Sequence, residues 1–195
     1  QLWYRHGSEA PVGFRFEDRI RPDARALVRD LEAKGLSVEM LTGDVPLIAA
    51  RIAEEAGIAE WQAAVRPEQK ARHLEALANA KIRTLMVGDG LNDAAALAMA
   101  HVSIAPGTAA DISQKASDMV LRGGDLMPIA EAITVARKAR HLVLENFALA
   151  LAYNLTAIPM AALGMVTPLI AAATMAGSSL LVTLNALRLM GGGKT

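Results

Sequence analysis

An acidic loop near the middle of the chain carries the side chains best suited to chemistry. The stretch from residue 86 to 93 reads Met-Val-Gly-Asp-Gly-Leu-Asn-Asp, so two carboxylates, Asp89 and Asp93, lie close to the amide of Asn92. Closely spaced carboxylates repel each other unless a cation neutralises them, and hard oxygen ligands suit Mg2+. Asp89 and Asp93 are therefore candidate Mg2+ ligands. An ordinary Asp-Gly turn followed by a capped helix is the alternative.

The elements around this loop would place it at the edge of a sheet. Residues 84–87 are apolar and rich in strand formers, and Gly88 and Gly90 favour a tight turn because glycine accepts a positive φ without steric cost. Asp93 suits the N-cap of the alanine-rich helix expected at 94–100. We therefore expect the loop at the carboxyl end of a strand, where open α/β sheets bind ligands.

A second loop, Thr42-Gly43-Asp44, also follows an expected strand. A hydroxyl group and backbone N–H groups at a strand end can hold a phosphate oxygen. Thr42, Gly43 and Asp44 are therefore candidates for a phosphate site. A plain turn with an N-cap for the next helix accounts for the same residues, and the local sequence leaves both interpretations open.

Lys70 is the third candidate, in the first turns of a helix that Pro67 opens. A cation at that end of a helix opposes the helix dipole, which is a small local cost. The cost makes sense if Lys70 points at an anion over the sheet. Otherwise Lys70 is a solvated surface lysine, and Glu68 or Glu75 could pair with it.

The composition limits the classes of function. The 195 residues carry 20 Lys and Arg against 20 Asp and Glu, and this zero net charge gives no sign of a nucleic-acid partner. The lack of cysteine excludes disulfides and thiolate ligands within the sequence. Hydrophobic residues make up 53% and the mean hydropathy is +0.28, so we expect part of the chain to lie in lipid. The first residues read as a strand without an initiator methionine, so we expect a fragment.

Residues 1–124 alternate between short strands and helices. Two strands lie around Gly7-Ser8, and a helix follows Pro22, which suits a first helical turn. Further strands are expected at 36–41, 63–65, 83–87, 102–104 and 119–121, with helices at 45–56, after Pro67 and at 94–100. Strands that alternate with helices predict a parallel, doubly wound α/β sheet.

Two long apolar runs follow a linker helix at 125–141, for which Asp125 is a suitable N-cap. In the first run, 142–163, only Glu145 is charged, and the second run, 168–187, carries no charge. Each has about the 20 residues that cross a bilayer. We therefore expect transmembrane helices at 142–164 and 168–190. A buried helical pair in a soluble protein is the alternative.

The charges around these runs predict their orientation. Arg137, Lys138 and Arg140 precede the first run, and Arg188 and Lys194 lie at the end of the second, whereas the short turn between the runs is uncharged. By the positive-inside rule both ends of the pair lie in the cytoplasm, and the sheet domain lies there with them.

The order of the three candidate motifs resembles a known arrangement. The haloacid dehalogenase superfamily typically has a Thr at one strand end, a lysine on a helix, and Gly-Asp-Gly-x-Asn-Asp at another strand end. The full set resembles the phosphorylation domain of P-type ATPases and comprises Leu41-Thr42-Gly43-Asp44, Arg66-Pro67-Glu68-Gln69-Lys70 and Val87-Gly88-Asp89-Gly90-Leu91-Asn92-Asp93. The segment from Glu17 to Pro22 is similar to the one that re-enters that domain from the nucleotide-binding domain. The resemblance runs from about Val12 to Leu189.

This resemblance implies a division of the chain and a role for each motif. Residues 1–16 would end the nucleotide-binding domain, and residues 17–124 would form the carboxyl-terminal part of a haloacid-dehalogenase-like phosphorylation domain. ATP and Mg2+ would be the cofactors. The resemblance implies catalytic contacts to the phosphoryl oxygens from Thr42, Gly43, Asp44 and Lys70. It implies a phosphate and hinge site at Gly88, Gly90 and Asn92. The implied Mg2+ ligands are Asp89 and Asp93.

One part of the family pattern is missing. The nucleophile of the family is an aspartate in an Asp-Lys-Thr-Gly-Thr motif on an earlier strand, and the sequence does not contain that motif. The resemblance therefore implies the carboxyl-terminal part of a pump that cannot be phosphorylated by itself in the family's way.

Polar and sulfur-bearing side chains occur in the middle of both apolar runs. Tyr153 and Asn154 lie in the first, and Met175, Ser178 and Ser179 lie on one helical face of the second. Such groups at bilayer depth face a pathway or a partner helix, and a thioether is a soft ligand that suits Cu(I). Helix packing through small and hydrogen-bonding residues is the alternative.

These positions also resemble the copper branch of the heavy-metal P-type ATPases. Tyr-Asn in the penultimate span and Met-x-x-Ser-Ser in the last are typical of that branch, and the ending at 185–189 is similar to its ending. The stretch at 101–118 most resembles the subgroup that supplies copper for cbb3-type oxidase assembly (FixI/CcoI).

The resemblance implies the carboxyl-terminal part of a Cu(I)-exporting P-type ATPase in a bacterial-type inner membrane. Its partners would be the Cu+ ion, the remainder of the pump and copper chaperones, without nucleic acid. The sequence leaves two alternatives open. One is a membrane-anchored phosphatase of the dehalogenase superfamily, which would need its own nucleophilic aspartate. The other is a truncated, non-catalytic membrane module that serves docking or regulation.

Overall fold

The structure, a computed structural model, describes residues 2–14, 20–88, 91–109 and 111–189. The chain divides into two compact units, Gln1–Ala130 and Glu131–Thr195. Asp89, Gly90 and residues 17–19 of the expected re-entry segment lie outside the described residues, so their predicted roles have no structural counterpart here.

The order of elements follows the predicted alternation of strands and helices. The elements are β1 (Leu2–Tyr4), β2 (Val12–Phe14), α1 (Ala24–Ala33), β3 (Glu39–Leu41), α2 (Pro46–Ala56), β4 (Glu60–Gln62), α3 (Pro67–Asn79), β5 (Leu85–Val87), a 3-10 turn (Leu91–Asp93), α4 (Ala94–Met99), β6 (Val102–Pro106), α5 (Asp111–Ala116), β7 (Met119–Leu121), α6 (Met127–Ala162) and α7 (Pro168–Leu187).

The strands form three small sheets. β1 and β2 make an antiparallel hairpin, β3 pairs with β4 in parallel, and β5, β6 and β7 form a parallel sheet in that order. β6 is central, and its residues from Ser103 to Pro106 are buried, as expected for a strand with a neighbour on each side. The predicted fold class, a parallel α/β domain followed by two long apolar helices, is confirmed.

Proline and glycine set the ends of the helices beside the site. Pro46 and Pro67 occupy the first turns of α2 and α3, where a missing N–H costs nothing. The Gln69 side chain accepts a hydrogen bond from the backbone N–H of Arg66 at 2.8 Å, which closes the start of α3. Gly57 ends α2 in the left-handed region, at a φ of 77°.

The strand expected at residues 63–65 is wrong, because the strand is β4, at Glu60–Gln62. Ala64 has a φ of 53°, which takes the backbone out of the extended region. The N–H groups of Ala64 and Val65 instead donate to the carbonyls of Asp44 and Thr42, at 2.8 and 2.9 Å. This segment is therefore a loop that is hydrogen-bonded to the Thr42 loop.

The start of α6 also differs from its prediction. Asp125 is exposed, and the acceptor at this helix start is Asp23, whose Oδ2 accepts the N–H groups of Leu126 and of Met127, the latter at 3.0 Å. Asp23 stands at the N-cap position of α1 but makes no side-chain cap there. An Arg21 guanidinium N–H donates to the carbonyl of Gly124 at 2.6 Å beside it. Two segments more than 100 residues apart in sequence are thus tied together.

The two apolar runs are helices long and apolar enough to cross a membrane. α6 has 36 residues and α7 has 20, and only 6% and 0% of their most apolar windows are buried. A core helix of a soluble protein would be mostly buried, so the soluble alternative is disfavoured. α6 is continuous from Met127 to Ala162. The predicted boundary between a linker helix and a span therefore lies within one helix and stays a prediction.

Candidate functional site

An ion pair between Lys70 and Asp93 joins two of the predicted site residues. The Lys70 Nζ donates to Asp93 Oδ1 at 2.8 Å, and the two side chains are 13% and 11% exposed. Lys70 is the fourth residue of α3, and Asp93 ends the 3-10 turn after β5. Lys70 is therefore not the solvated surface lysine of the alternative interpretation, and its partner is neither Glu68 nor Glu75.

Asp93 stands at the N-cap position of α4, as predicted, but makes no side-chain cap there. Its carboxylate turns toward Lys70 instead. A lysine ammonium has three N–H donors, of which this pair uses one. The remaining donors suit an anion at the carboxyl end of β5.

Gly88 is required here by space rather than by a positive φ. A Cβ atom on Gly88 would lie 2.9 Å from the Asp93 Cβ, closer than real Cβ atoms come, and 3.2 Å from its Cγ, which is tighter than most such contacts. Gly88 is not among the glycines with positive φ, so the expectation from backbone freedom is wrong for this residue. Its backbone N–H donates to the Ile104 carbonyl at 3.2 Å. The glycine therefore allows the Asp93 side chain to lie against the end of β5.

The Thr42 loop is held by hydrogen bonds within itself and to β4. The Thr42 hydroxyl donates to Asp44 Oδ2 at 2.8 Å and accepts the Asp44 N–H at 3.1 Å. The Thr42 N–H donates to the Gln62 carbonyl at 3.0 Å. The loop is thus a closed turn in this structure, and a phosphate oxygen on Thr42 would replace Asp44 as the partner of its hydroxyl.

The structure does not bring all the predicted residues into contact. Within the described ranges no hydrogen bond or ion pair joins Thr42 to Lys70, and Asn92 is exposed. Nor do three His, Cys, Asp or Glu side chains gather anywhere in those ranges. A carboxylate and an amide that follow a strand are the type of donor that Mg2+ takes. Asp93 and Asn92 therefore fit the ion in chemistry, as two of its donors.

β3 and β5 each have an open edge. β3 pairs only with β4, and β5 pairs only with β6, among the strands that the structure describes. Val87, at the end of β5, is 40% exposed although it is an apolar residue of a parallel strand. The edge of a sheet presents backbone N–H and C=O groups that can pair with another strand, so each of these edges can accept one more strand.

The candidates in the apolar helices lie at different positions around the helix pair. The Tyr153 hydroxyl donates to the Thr174 Oγ1 across the pair at 3.3 Å. Ser178 is half-buried, whereas Asn154 and Ser179 are exposed. Met175 is 71% exposed. These helices therefore leave the Met175 thioether open to lipid or to further helices.

Sequence reasoning missed a polar cluster between the middle of α6 and the end of α7. Glu145 and Asn146 of α6 meet Asn185 of α7 and Arg188, which follows α7, through several hydrogen bonds. The sequence feature that could have indicated this cluster is Glu145, the one charged residue of the first apolar run.

The family model of haloacid dehalogenase-like hydrolases matches residues 8–101. Among curated proteins, the nitrogen fixation protein FixI of Bradyrhizobium diazoefficiens is 46% identical over 96% of this chain and 24% of its own length. A copper-exporting P-type ATPase of Bacillus subtilis is 48% identical over 88% of this chain and 21% of its own length.

Solved structures give the same relationship. The crystal structure of a zinc-transporting PIB-type ATPase matches with a TM-score of 0.80 and 35% identity, over 89% of this chain and 28% of that one. The chain thus spans about a quarter of the length of the proteins it matches. The similarity covers both the sheet domain and the helices, because a match over nine-tenths of the chain includes them.

Proposed function

This chain belongs to the heavy-metal (P1B-type) branch of the P-type ATPases, and we propose that it forms the carboxyl-terminal part of an ATP-driven pump for Cu(I). The chain is an integral membrane protein, and its sheet domain lies on the cytoplasmic side. The observation that carries the proposal is the part-buried Lys70–Asp93 ion pair at the carboxyl end of β5. A cation in this position supports the binding of an anionic phosphoryl group beside the sheet.

The sheet domain would act on the phosphoryl group by position and charge. Lys70 would contact the phosphoryl oxygens through its remaining N–H donors, and Asp93 would hold the ammonium in place. The Thr42 hydroxyl and the backbone N–H of Gly43 would bind a further oxygen. Phosphoryl transfer gains most of its catalysis from such positioning and electrostatic stabilisation.

Mg2+ would neutralise part of the phosphoryl charge when it is bound. Asp89 and Asp93 are its proposed ligands, and Gly88, Gly90 and Asn92 would shape the turn around the phosphate. The carboxylate and amide oxygens after β5 support this assignment by their chemistry.

The nucleophilic aspartate would come from the remainder of the pump. We infer that its strand adds to the open edges of β3 and β5, because both are edge strands of parallel sheets among the strands that the structure describes. The carboxyl ends of parallel strands meet at one side of a sheet. An aspartate after that strand would therefore lie beside the Thr42 loop and Lys70. Without this strand the chain would form no aspartyl-phosphate.

The donors at mid-depth in the helices favour Cu(I) as the cargo over harder ions. Tyr153, Asn154, Met175, Ser178 and Ser179 supply a thioether and neutral oxygens, and the two helices hold no carboxylate at that depth. A thioether suits a soft monovalent ion. The exposure of Met175 leaves it free to meet donors from the other helices of the pump. Copper chaperones would then deliver the ion.

Transport by the complete pump in sealed vesicles tests this function. We expect ATP-dependent movement of Cu(I), with little movement of Zn2+ under the same conditions. Met175→Leu, which keeps volume and hydrophobicity, should reduce copper movement without reducing the amount of pump in the vesicles. Movement of Zn2+ in preference to Cu(I) would contradict the proposed cargo while leaving the family unchanged.

A further inference from the structure

A compact polar network joins α6 to the end of α7. The Glu145 Oε2 accepts from the Asn185 Nδ2 at 3.1 Å and from the Arg188 Nη1 at 3.0 Å. Its Oε1 lies 3.1 Å from the His141 Nε2, one turn earlier on α6. The one charged residue of the first apolar run is thus paired across the helix pair.

Asn185 is the centre of this network. Its Nδ2 also donates to the Asn146 Oδ1 at 2.9 Å, and its Oδ1 accepts from Arg188 at 2.8 Å. The residue is only 9% exposed. Both the Nδ2 and the Oδ1 of the Asn185 side chain are therefore hydrogen-bonded, to residues of α6 and to Arg188 just beyond α7.

Such a network specifies how the two helices align. A charged group in an apolar helix is costly unless it is paired. If α7 moved by one turn along α6, Glu145 would lose Arg188 and Asn185 together. A single buried asparagine fixes the register of a coiled coil for the same reason.

The network is too far from the proposed metal donors to share an ion with them. Glu145 and Tyr153 are eight positions apart, which is about 12 Å along a helix. Met175 and Asn185 are ten positions apart, which is about 15 Å. The guanidinium of Arg188 also occupies the carboxylate that a cation would need. The network can influence the donors only through the alignment of the helices.

We propose that Glu145 and Arg188 are positioning residues that lock the register of α6 against α7. The lock aligns Tyr153 and Asn154 with the turn of α7 that carries Met175 and Ser178. The Tyr153–Thr174 hydrogen bond lies in this aligned region. The consequence for metal transport rests on the proposed function, whereas the lock itself does not.

A charge-swap cycle in the complete pump tests the lock. The variants are Glu145→Arg, Arg188→Glu and the two together, with Glu131→Gln and Arg140→Gln as controls, because both are exposed charges of α6 outside the network. Two quantities are measured for each variant, the Cu(I) concentration for half-maximal ATPase activity and the thermal midpoint in metal-free detergent solution.

Each single swap should raise the half-saturating Cu(I) concentration by about tenfold, and the double swap should recover most of that loss, as directly coupled residues do. The controls should match the wild type. If the effects of the two substitutions are coupled in the thermal midpoint but additive in the half-saturating Cu(I) concentration, the positioning role is overturned. Additive effects in both quantities would overturn the lock. A wild-type pump that responds to another metal and not to Cu(I) would refute the cargo alone, and that metal would then replace Cu(I) in the titration.

Discussion

Replacing Asp23 by alanine should loosen the first turn of α6 without unfolding the sheet domain. The carboxylate accepts the N–H groups of Leu126 and Met127, two of the donors that a helix start leaves without an intrahelical partner. Loss of a side-chain cap costs about 1–2 kcal/mol. That energy corresponds to a change of about 5-fold to 30-fold in a local opening equilibrium.

Hydrogen–deuterium exchange of the Leu126 and Met127 amides measures this opening directly. In the Asp23→Ala variant both amides should exchange about 5 to 30 times faster than in the wild type, while amides in the middle of α2 keep their rates. Asp23→Asn keeps an acceptor oxygen and loses the charge, so its effect should be smaller. The loss of a charge at a helix N-terminus costs about 0.3–1 kcal/mol.

Asp125→Ala is the matched control, because Asp125 is the cap that the sequence predicts and is exposed in the structure. Unchanged exchange in Asp23→Ala, with faster exchange in Asp125→Ala, would refute this account of the helix start.

The same contact predicts a dependence on acid pH. Burial by itself raises the pKa of Asp23, but the N–H donors of Leu126 and Met127 and the charge of Arg21 lower it to a net value below the ordinary 3.8. A carboxyl whose pKa is lower in the folded protein stabilises the fold above its unfolded pKa. Protection of the two amides should therefore be constant from neutral pH to about pH 4 and should fade as the pH falls through the pKa of the folded state.

Three further outcomes are expected. Gly88→Ala should lower the thermal midpoint, because the new Cβ would displace Asp93 at a cost of about 1–3 kcal/mol. Gly43→Ala is the control, since its Cβ would meet only the Val65 carbonyl oxygen at 3.7 Å. Equal shifts of the thermal midpoint in the two variants would count against the packing argument. The chain by itself, incubated with γ-labelled ATP, should acquire no hydroxylamine-labile label, because the nucleophile motif is missing; labelling would disprove this. In the complete pump Met175→Leu should reduce copper-stimulated turnover more than thermal stability, and full activity with full copper stoichiometry would leave Met175 a packing residue only.

Local signals allowed much of the fold to be predicted from the sequence. Pro46, Pro67 and Gly57 act within one turn of the chain, so the ends of α2 and α3 that they set were predictable. For Lys70 the sequence left two interpretations open, a surface lysine and a lysine that faces an anion, because a cation near a helix start is unfavourable without one. Its contact with Asp93 gives that cost a structural explanation.

The features that could not be predicted depend on contacts between distant segments. The cap of α6 comes from Asp23, 103 residues before Leu126, and nothing local distinguishes it from Asp125. β4 is polar and largely exposed, at Glu60–Gln62, so it lacks the apolar pattern that indicates a strand. The network around Glu145 joins residues about 40 positions apart, and the sequence marks only one of its members.

Phosphoenzyme formation by the complete pump tests the central claim most directly. With Cu(I) and γ-labelled ATP the wild type should acquire a hydroxylamine-labile label. Lys70→Met should slow that labelling by about 100-fold, the typical loss when one electrostatic contact to the reacting group is removed. Lys115→Met, which removes an exposed lysine of α5, should label at the wild-type rate. Labelling of Lys70→Met at the wild-type rate would contradict the assignment of the Lys70–Asp93 pair to phosphoryl transfer.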